Sequence, residues 1–449
     1  MDFRVLAGLV LTSAAAFGAV REWGLDQTRP ILEKTLLLRL APELDALSPA
    51  ERRALDALLA AGPPLQRIFE RQLHRQALDA HRALLARKPP REDLLILYRL
   101  WQGPIATTLD NEREPFLAVD PIVPGKNVYS WGIDKARLES FMEEHDELKD
   151  DILNGRTVVR DAARTRTLRA ALRGIQSIED ALPYESHRRV RETIPVGVYN
   201  VVADFGQARG TNTASILPNE PRITRKYGRT ILLRHNIMTH PDLFAISQAT
   251  WTAAVVAEHA NDLGSEGNFY RTLWHEIGHY LGPDRDRGGR DLGVALQENA
   301  DLFEEMKSDL VSLFAAQALR ASGDFDEARL KDVYAAGILR VLQKNQPRRG
   351  QPYQTMQLMQ MNYFLEGGLL QLDSGSGRLK IQYARYPAVV GSMLEKVLAI
   401  QAAGDKGAAD AFIDRYDTWT EELHERLAGS MRATERYRYR LVKYQALGE

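Results

Sequence analysis

The sequence predicts a mainly helical α+β protein, and three observations support this class. Apolar residues recur at helical spacing through most of the 449 residues, beginning around Leu55 and Leu58. A stretch rich in β-branched residues interrupts that pattern at 195–236, and a turn-rich stretch at 369–381 predicts a hairpin. Hydrophobic residues make up 44% of the chain, which is enough to build a sizeable core and argues against disorder.

Helices are predicted on both sides of the β segment. Residues 31–100 and 132–190 have helical patterns, and Pro63-Pro64 and Pro89-Pro90 are expected to separate helices in the first of them. An irregular connection is predicted at 101–131, and two strands are predicted at 196–202 and 230–233. A long helical region is predicted at 242–343, a hairpin at 369–381 and further helices at 382–449.

The composition excludes several classes of protein. Lys plus Arg total 59 and Asp plus Glu total 60, so no basic excess exists to drive nucleic-acid binding. The sequence contains no cysteine, which excludes disulfides, thiolate zinc sites, iron–sulfur clusters and thiol nucleophiles. Any metal must therefore be bound by His and carboxylate side chains.

The first 20 residues predict a signal peptide. Arg4 precedes an apolar run from Val5 to Phe17, and small residues follow before Arg21. This run is too short for an ordinary transmembrane helix. We therefore expect export to the periplasm, removal of residues 1–20 and no stable membrane insertion afterwards. An uncleaved N-terminal anchor and a buried first helix are the alternatives.

The most informative motif is the His-Glu-x-x-His sequence at 275–279. Residues four apart on a helix lie on the same face, so His275 and His279 can bind one metal ion. Glu276 is the next residue along the chain and can reach a metal-bound water. Gly282-Pro283 is expected to end this helix.

A third ligand is predicted on the next helical segment. Zinc in hydrolases usually takes three protein ligands and one water. Glu305, followed by Ser308 and Asp309, has the Glu-x-x-Ser-Asp form that resembles the third-ligand helix of gluzincins. Asp309 lies one turn after Glu305 and can accept the free N–H of a ligating His. Three nearby acids are open alternatives: Glu298, Asp301 and Glu304.

These residues indicate metal-assisted hydrolysis. A His, His, Glu site is expected to hold one divalent ion per chain, Zn²⁺. Such an ion lowers the pKa of its bound water and polarises a carbonyl, while Glu276 takes the proton and passes it to the leaving amine. The predicted reaction is hydrolysis of a peptide bond, which also needs a group that stabilises the oxyanion.

The same residues resemble the dipeptidyl-peptidase III family, in its bacterial and plant Nudix-associated branch, although the chain has no Nudix box. The likeness rests first on 275–283, Ala295-Leu296 and Glu304–Leu310. Further blocks agree in order and spacing, at 103–104, 115–116, 125–129, 211–219, 228–236, 357–368 and 377–378. The resemblance covers most of residues 35–445.

This resemblance implies a fold and roles for single residues. The fold is a zincin-like, gluzincin metallopeptidase of two lobes over residues 31–449, with a helical zinc lobe at about 242–345 and a small β element across a cleft. The strand at 231–234 is expected to offer its edge to a peptide. The implied residues are the zinc ligands His275, His279 and Glu305, the catalytic residues Glu276 and Tyr353, and the substrate-binding residues Asn219 and Asn236.

The chain also departs from the family pattern. Tyr280 stands where the family has Gly, Ile216 stands where it has Asn, and Tyr353 stands where it has a His that assists at the transition state. The stretch between 157–159 and 217–219 is far shorter than in the family. The missing block includes a Tyr and acids that contact the substrate's N-terminus, so the resemblance does not extend to strict removal of dipeptides.

We therefore expect an exported zinc metallopeptidase that acts on short peptides. Two alternatives from other classes remain. One is a non-catalytic zinc- or peptide-binding protein that keeps the peptidase fold, and the other is a zinc hydrolase of a non-peptide amide. The presence of Glu276 favours an enzyme, because a non-catalytic protein has no need of a base between two metal ligands.

Overall fold

Helices make up most of the protein and short strands lie between them, so the predicted mainly helical α+β class is confirmed. The structure, a computed structural model, describes residues 21–122, 156–160, 172–190, 196–206, 210–217, 230–348 and 350–449, with residues 137, 140, 165 and 194. The predicted signal peptide and Asn219 lie outside these residues.

The elements are numbered in chain order among the described residues. The helices are α1 (Leu25–Glu33), α2 (Pro49–Leu73), α3 (Ala77–Leu85), α4 (Glu92–Trp101), α5 (Ile175–Ala181), α6 (His235–Met238), α7 (Pro241–Ala254), α8 (Gly267–Gly278), α9 (Leu292–Leu296), α10 (Ala300–Ala321), α11 (Glu327–Val341), α12 (Pro352–Glu366), α13 (Tyr386–Ala403), α14 (Lys406–Tyr416) and α15 (Arg426–Arg432). The strands are β1 (Thr35–Leu40), β2 (Ile105–Thr107), β3 (Arg113–Pro115), β4 (Arg156–Arg160), β5 (Val196–Asp204), β6 (Ala214–Leu217), β7 (Thr230–Arg234), β8 (Leu370–Leu372), β9 (Leu379–Ile381) and β10 (Tyr439–Tyr444).

A mixed four-stranded sheet has the order β4-β5-β7-β6. Strands β5 and β7 are parallel, and β4 and β6 are antiparallel to their neighbours. Both predicted strands of this region, β5 and β7, are confirmed, as is the hairpin of β8 and β9. The helical prediction for 132–190 is wrong at β4, because the β-branched run at 157–159 favours an extended strand.

Strand β7 lies inside this sheet, so the prediction that its edge is open to a peptide is wrong. The sequence does not predict β6, which pairs along β7 and places Ile216 opposite Ile231. The outermost strand on this side of the sheet, among the described residues, is β6.

Strands β1 and β10 pair in parallel and bring together two distant parts of the chain. Leu38 lies opposite Val442, and both are buried with Val201 and Phe205 in one small core. The helical prediction is wrong for β1 and for β10. Each strand is stabilised by pairing with a strand that is remote in the sequence. The local hydrophobic periodicity cannot predict such a partner.

Helix α2 also differs from the sequence prediction. It runs without a break through Pro63 and Pro64, which are therefore not a boundary between helices. The residue before them, Gly62, is buried, and a Cβ there would lie 2.4 Å from ring atoms of Phe205. The helix thus packs closely on Phe205 just before two residues that have no N–H to donate.

Helix α10 lies at the centre of the largest core. Its buried residues Met306, Leu310 and Val311 join a cluster to which α8, α11, α12 and α13 contribute. Of two smaller cores, one lies around α1, α3 and α4, and the other lies around the β1–β10 pair and α2. Among the described helices, none combines the length and the apolar content needed to cross a membrane.

We expect Leu38→Ala to lower the free energy of unfolding by about 2–5 kcal/mol, because it leaves a cavity between the β1–β10 pair and β5. The Leu38 side chain is 1% exposed, whereas its neighbour Leu37 is 46% exposed. Leu37→Ala is the matched control and should cost less than about 0.5 kcal/mol in denaturant unfolding. Equal costs for the two variants would contradict the packing of β1.

Candidate metal centre

Helix α8 carries His275, and His279 is the residue that caps its C-terminal end, while core residues occupy the other side of the helix. Phe269, Leu273 and Ile277 are buried in the large core. The regular helix ends at Gly278, before the predicted Gly282-Pro283. The residues that follow form a tighter turn, in which the Leu281 N–H donates to the Gly278 carbonyl.

The C-terminal end of α8 lies very close to α10. A Cβ on Gly278 would lie 3.0 Å from both the Cα and the carbonyl oxygen of Ser308. Only glycine lets two backbones approach this closely without displacement. Because the two helices lie so close together here, the two histidines lie beside Glu305, which precedes Ser308 by one turn of α10.

The structure brings the three predicted metal ligands together. One ligand atom each from His275, His279 and Glu305 lies within 4.8 Å of the others. Glu305 Oε2 is 3.2 Å from His275 Nε2 and 3.9 Å from His279 Nε2. This oxygen is buried and has no hydrogen-bond partner among the described residues. A buried carboxylate oxygen that faces two imidazole nitrogens is what a divalent cation requires.

Asp309 lies where the sequence predicts, behind the first histidine. Its Oδ1 is 2.6 Å from His275 Nδ1, so the Nε2 of that ring is left to face Glu305. Arg271 Nη1 and Arg340 Nε lie 3.0 and 3.3 Å from the same carboxylate. Burial opposes ionisation of this acid, but Arg340, His275 and Arg271 outweigh it and hold the pKa of Asp309 well below its ordinary range.

The second histidine has an equivalent support. His279 Nδ1 is 2.9 Å from Glu304 Oε1 and 2.9 Å from Ser308 Oγ. Lys307 Nζ is 2.8 Å from the same Glu304 oxygen. Burial opposes ionisation of Glu304, but Lys307 and His279 outweigh it and lower its pKa to about 2. The sequence leaves Glu304 open as an alternative third ligand. In the structure it contacts Nδ1 of His279, whereas Nε2 of that ring faces Glu305.

The two predicted catalytic residues flank this group. The Glu276 side chain is half-buried, and no hydrogen bond or ion pair to another described residue involves its carboxylate. Tyr353, at the start of α12, is 48% exposed, and its hydroxyl donates to Glu305 Oε1 at 2.9 Å. Burial and the charge of Glu305 raise the pKa of Tyr353 to about 12, so the hydroxyl keeps its proton at neutral pH.

Asn236 has a different set of partners. Its Oδ1 accepts from the Val201 N–H and its Nδ2 donates to the Val201 carbonyl, both at 2.9 Å. The amide therefore joins α6 to β5. Substrate binding by Asn236 and by Asn219 stays a prediction.

The sequence motifs assign no role to four residues that the structure places at the site: Arg271, Arg340, Lys307 and Ser308. Arg271 precedes His275 by one helical turn, so its place on the same face is a signal that the sequence contains. Lys307 and Ser308 lie beside Glu305 in the sequence, but which way each points depends on how α10 packs. Arg340 comes from α11, and no local pattern marks it.

We expect Gly278→Ala to lower the free energy of unfolding by about 1–3 kcal/mol and to weaken metal binding, because the new methyl group pushes α8 from α10. Gly391 is the matched control, since a Cβ on this helical glycine of α13 meets nothing within 4 Å. Gly391→Ala should stabilise the protein by about 0.5–1 kcal/mol. Denaturant unfolding and zinc titration measure both effects, and a stabilised Gly278→Ala variant would contradict the close packing.

The chain resembles known proteins both in sequence and in structure, although no family model matches it. A 272-residue stretch is 25% identical to Nudix hydrolase 3 of Arabidopsis thaliana. The match covers 59% of this chain and 35% of that protein, so the chain spans little more than a third of the relative's length.

Solved structures match over nearly the whole chain. The structure of DPP III from Caldithrix abyssi superposes with a TM-score of 0.75 at 19% identity, and covers 94% of this chain and 99% of that one. The dipeptidyl-peptidase III from Corallococcus sp. strain EGB has a TM-score of 0.68 at 18% identity and covers 95% of this chain and 99% of that one. The chain therefore has the two-lobed dipeptidyl-peptidase III fold, and the resemblance drawn from the sequence is confirmed at the level of the fold.

Proposed function

We propose that this chain is a zinc-dependent peptidase that hydrolyses short peptides. One observation carries the proposal. His275 and His279 face a buried oxygen of Glu305 that has no hydrogen-bond partner among the described residues. The carboxylate of Glu276, next to His275 in the sequence, forms no hydrogen bond or ion pair with any described residue either. The likeness to two dipeptidyl-peptidase III structures supports the peptidase part of the proposal.

The donor set fits zinc. Two imidazoles and one carboxylate make the three-ligand arrangement typical of catalytic zinc, which leaves a position for water or substrate. His275 and His279 would bind through Nε2, because Asp309 and Glu304 lie against their Nδ1 atoms. When bound, the ion supplies Lewis acidity, which acidifies a water molecule and polarises the scissile carbonyl.

The remaining chemistry belongs to side chains of this protein. Glu276 acts as general base on the attacking water and then as general acid to the leaving amine. Tyr353 keeps its proton, so its hydroxyl can leave Glu305 and donate to the developing oxyanion. This hydroxyl stands in for the family His that the chain lacks.

We also propose export of the protein by residues 1–20, and peptide binding that involves Asn219 and Asn236. The sequence pattern of an apolar run between Arg4 and small residues supports export. The resemblance of residues 211–219 and 228–236 to the dipeptidyl-peptidase III family supports peptide binding by Asn219 and Asn236.

We expect Glu276→Gln to lower kcat on peptides by about 100-fold to 10,000-fold, because the amide cannot take the proton from water. Zinc affinity should stay unchanged, since Glu276 is not a ligand. Cleavage of a peptide library, followed by mass spectrometry, measures the effect. Glu422→Gln, a change of an exposed acid on the surface, should leave cleavage intact.

The same measurement distinguishes the proposed peptidase from its alternatives. A wild-type protein that binds stoichiometric zinc and cuts no peptide would refute the peptidase and favour a binding protein or an amidase of another substrate class.

Zinc should stabilise the folded chain. Free zinc at 100 times its Kd is expected to add about 2.7 kcal/mol to the free energy of unfolding, because only the folded state assembles the site. Differential scanning calorimetry should show a higher Tm that a chelator reverses. His275→Ala should abolish the increase, and the exposed control His187→Ala should keep it. An equal zinc effect on the His275→Ala variant would place the metal elsewhere.

A further inference from the structure

The peptide group that joins Leu281 to Gly282, just after the second metal-binding histidine, is bonded on both sides by buried charges. The Leu281 carbonyl accepts from Lys307 Nζ at 2.7 Å. The Gly282 N–H donates to Glu179 Oε2 at 2.8 Å. Glu179 is fully buried and Lys307 is 1% exposed. Burial of two charges is costly, so both must be held by specific partners.

A third charged residue binds the same turn. The Arg188 guanidinium donates to the Tyr280 carbonyl, and its backbone N–H donates to Glu179 Oε1 at 3.3 Å. The Tyr184 hydroxyl also donates to that oxygen. Carbonyls at the end of a helix lack intrahelical partners and carry partial negative charge, which cations satisfy. We call Glu179, Arg188 and Lys307 the end clamp.

The end clamp is connected to His279 by a chain of close polar contacts. Lys307 Nζ is 2.8 Å from Glu304 Oε1, and that oxygen is 2.9 Å from His279 Nδ1. One ammonium group therefore contacts both the clamped peptide and the acid that supports the histidine.

The backbone at this point cannot easily adopt another arrangement. Gly282 has φ +78°, and a Cβ there would lie 3.1 Å from side-chain atoms of Lys307 and Leu398. The close fit leaves the Gly282 N–H aimed at Glu179. Glu179 lies on α5, far in sequence from both metal motifs.

We propose that Glu179 is a positioning residue for the metal centre. Acting through the Leu281–Gly282 peptide, its carboxylate fixes the turn that carries His279 at the distance from Glu305 that a divalent ion requires. The inference rests on the proposed function, since it supposes a metal at the site. Glu179 would then influence metal affinity although it lies outside both metal motifs.

A purely structural role for Glu179 predicts a different pattern. Loss of its hydrogen bonds would then lower the stability of the whole chain and leave the affinity of the folded protein for metal unchanged. Stability and affinity must therefore be measured separately on the same variants.

The test compares two variants of Glu179 with a matched control. Glu179→Gln keeps an acceptor for the Gly282 N–H, and Glu179→Met has similar size but no acceptor. The control is Glu70→Gln, because Glu70 is also buried and also accepts from a tyrosine, Tyr98 Oη at 3.0 Å, but lies on α2 in a different core.

Competition with a chromophoric chelator measures zinc affinity, and the d–d spectrum of bound Co²⁺ reports the geometry of the ligands. We expect Glu179→Gln to weaken zinc binding about tenfold and Glu179→Met about 100-fold, with an altered cobalt spectrum in both. Glu70→Gln should lose stability yet keep wild-type affinity and spectrum. Thermal unfolding of the metal-free variants shows how much of each is folded.

Wild-type affinity and spectrum in both folded Glu179 variants would overturn the positioning role while leaving the proposed metal centre intact. Absence of zinc binding by the wild-type chain would instead refute the proposed function. If neither variant folds, amide exchange at Gly282 in the metal-free wild type decides. Protection equal to that of core amides supports the clamp, and exchange at the rate of an exposed loop overturns it.

Discussion

The arrangement of the three proposed metal ligands depends on the distance between two helix backbones. His275 and His279 lie on or just after α8 and Glu305 lies on α10, so their separation follows from how closely these helices pack. At Gly278 the approach is limited by main-chain atoms of Ser308, which cannot move aside as a flexible side chain would. Main-chain contact sets a more definite distance than side-chain packing does.

Charged side chains then fix the rotation of each imidazole. Asp309 and Glu304 face the two Nδ1 atoms, and each of these acids is in turn paired with cations from its own or a neighbouring helix. Pairing offsets the desolvation of buried carboxylates, so they stay ionised without a metal. The orientation of the histidines is therefore fixed by the protein itself, and binding of the proposed metal would cost less conformational entropy.

The sequence predicts the parts of this site that depend on local geometry. Helical spacing relates His275 to His279 and Glu305 to Asp309, so these residues are found without knowledge of the fold. Arg340 and Glu179 act across contacts between elements that are remote in sequence, and a local pattern cannot reveal them. The same reason explains β1 and β10, which pair from remote parts of the chain. Helix α2 continues through Pro63 and Pro64, where the usual effect of proline predicts a break, and it packs closely on Phe205 at Gly62.

The parallel pairing of β1 with β10 has a consequence for biosynthesis. During translation, β1 leaves the ribosome well before its partner β10, which is made only after all the residues between the two strands. Until then the edge of β1 has no partner strand, and Leu38 lacks Val442, which lies opposite it in the finished sheet. Such long-range closure slows folding. The region around β1 therefore stays incompletely folded, and accessible to chaperones, until β10 is made.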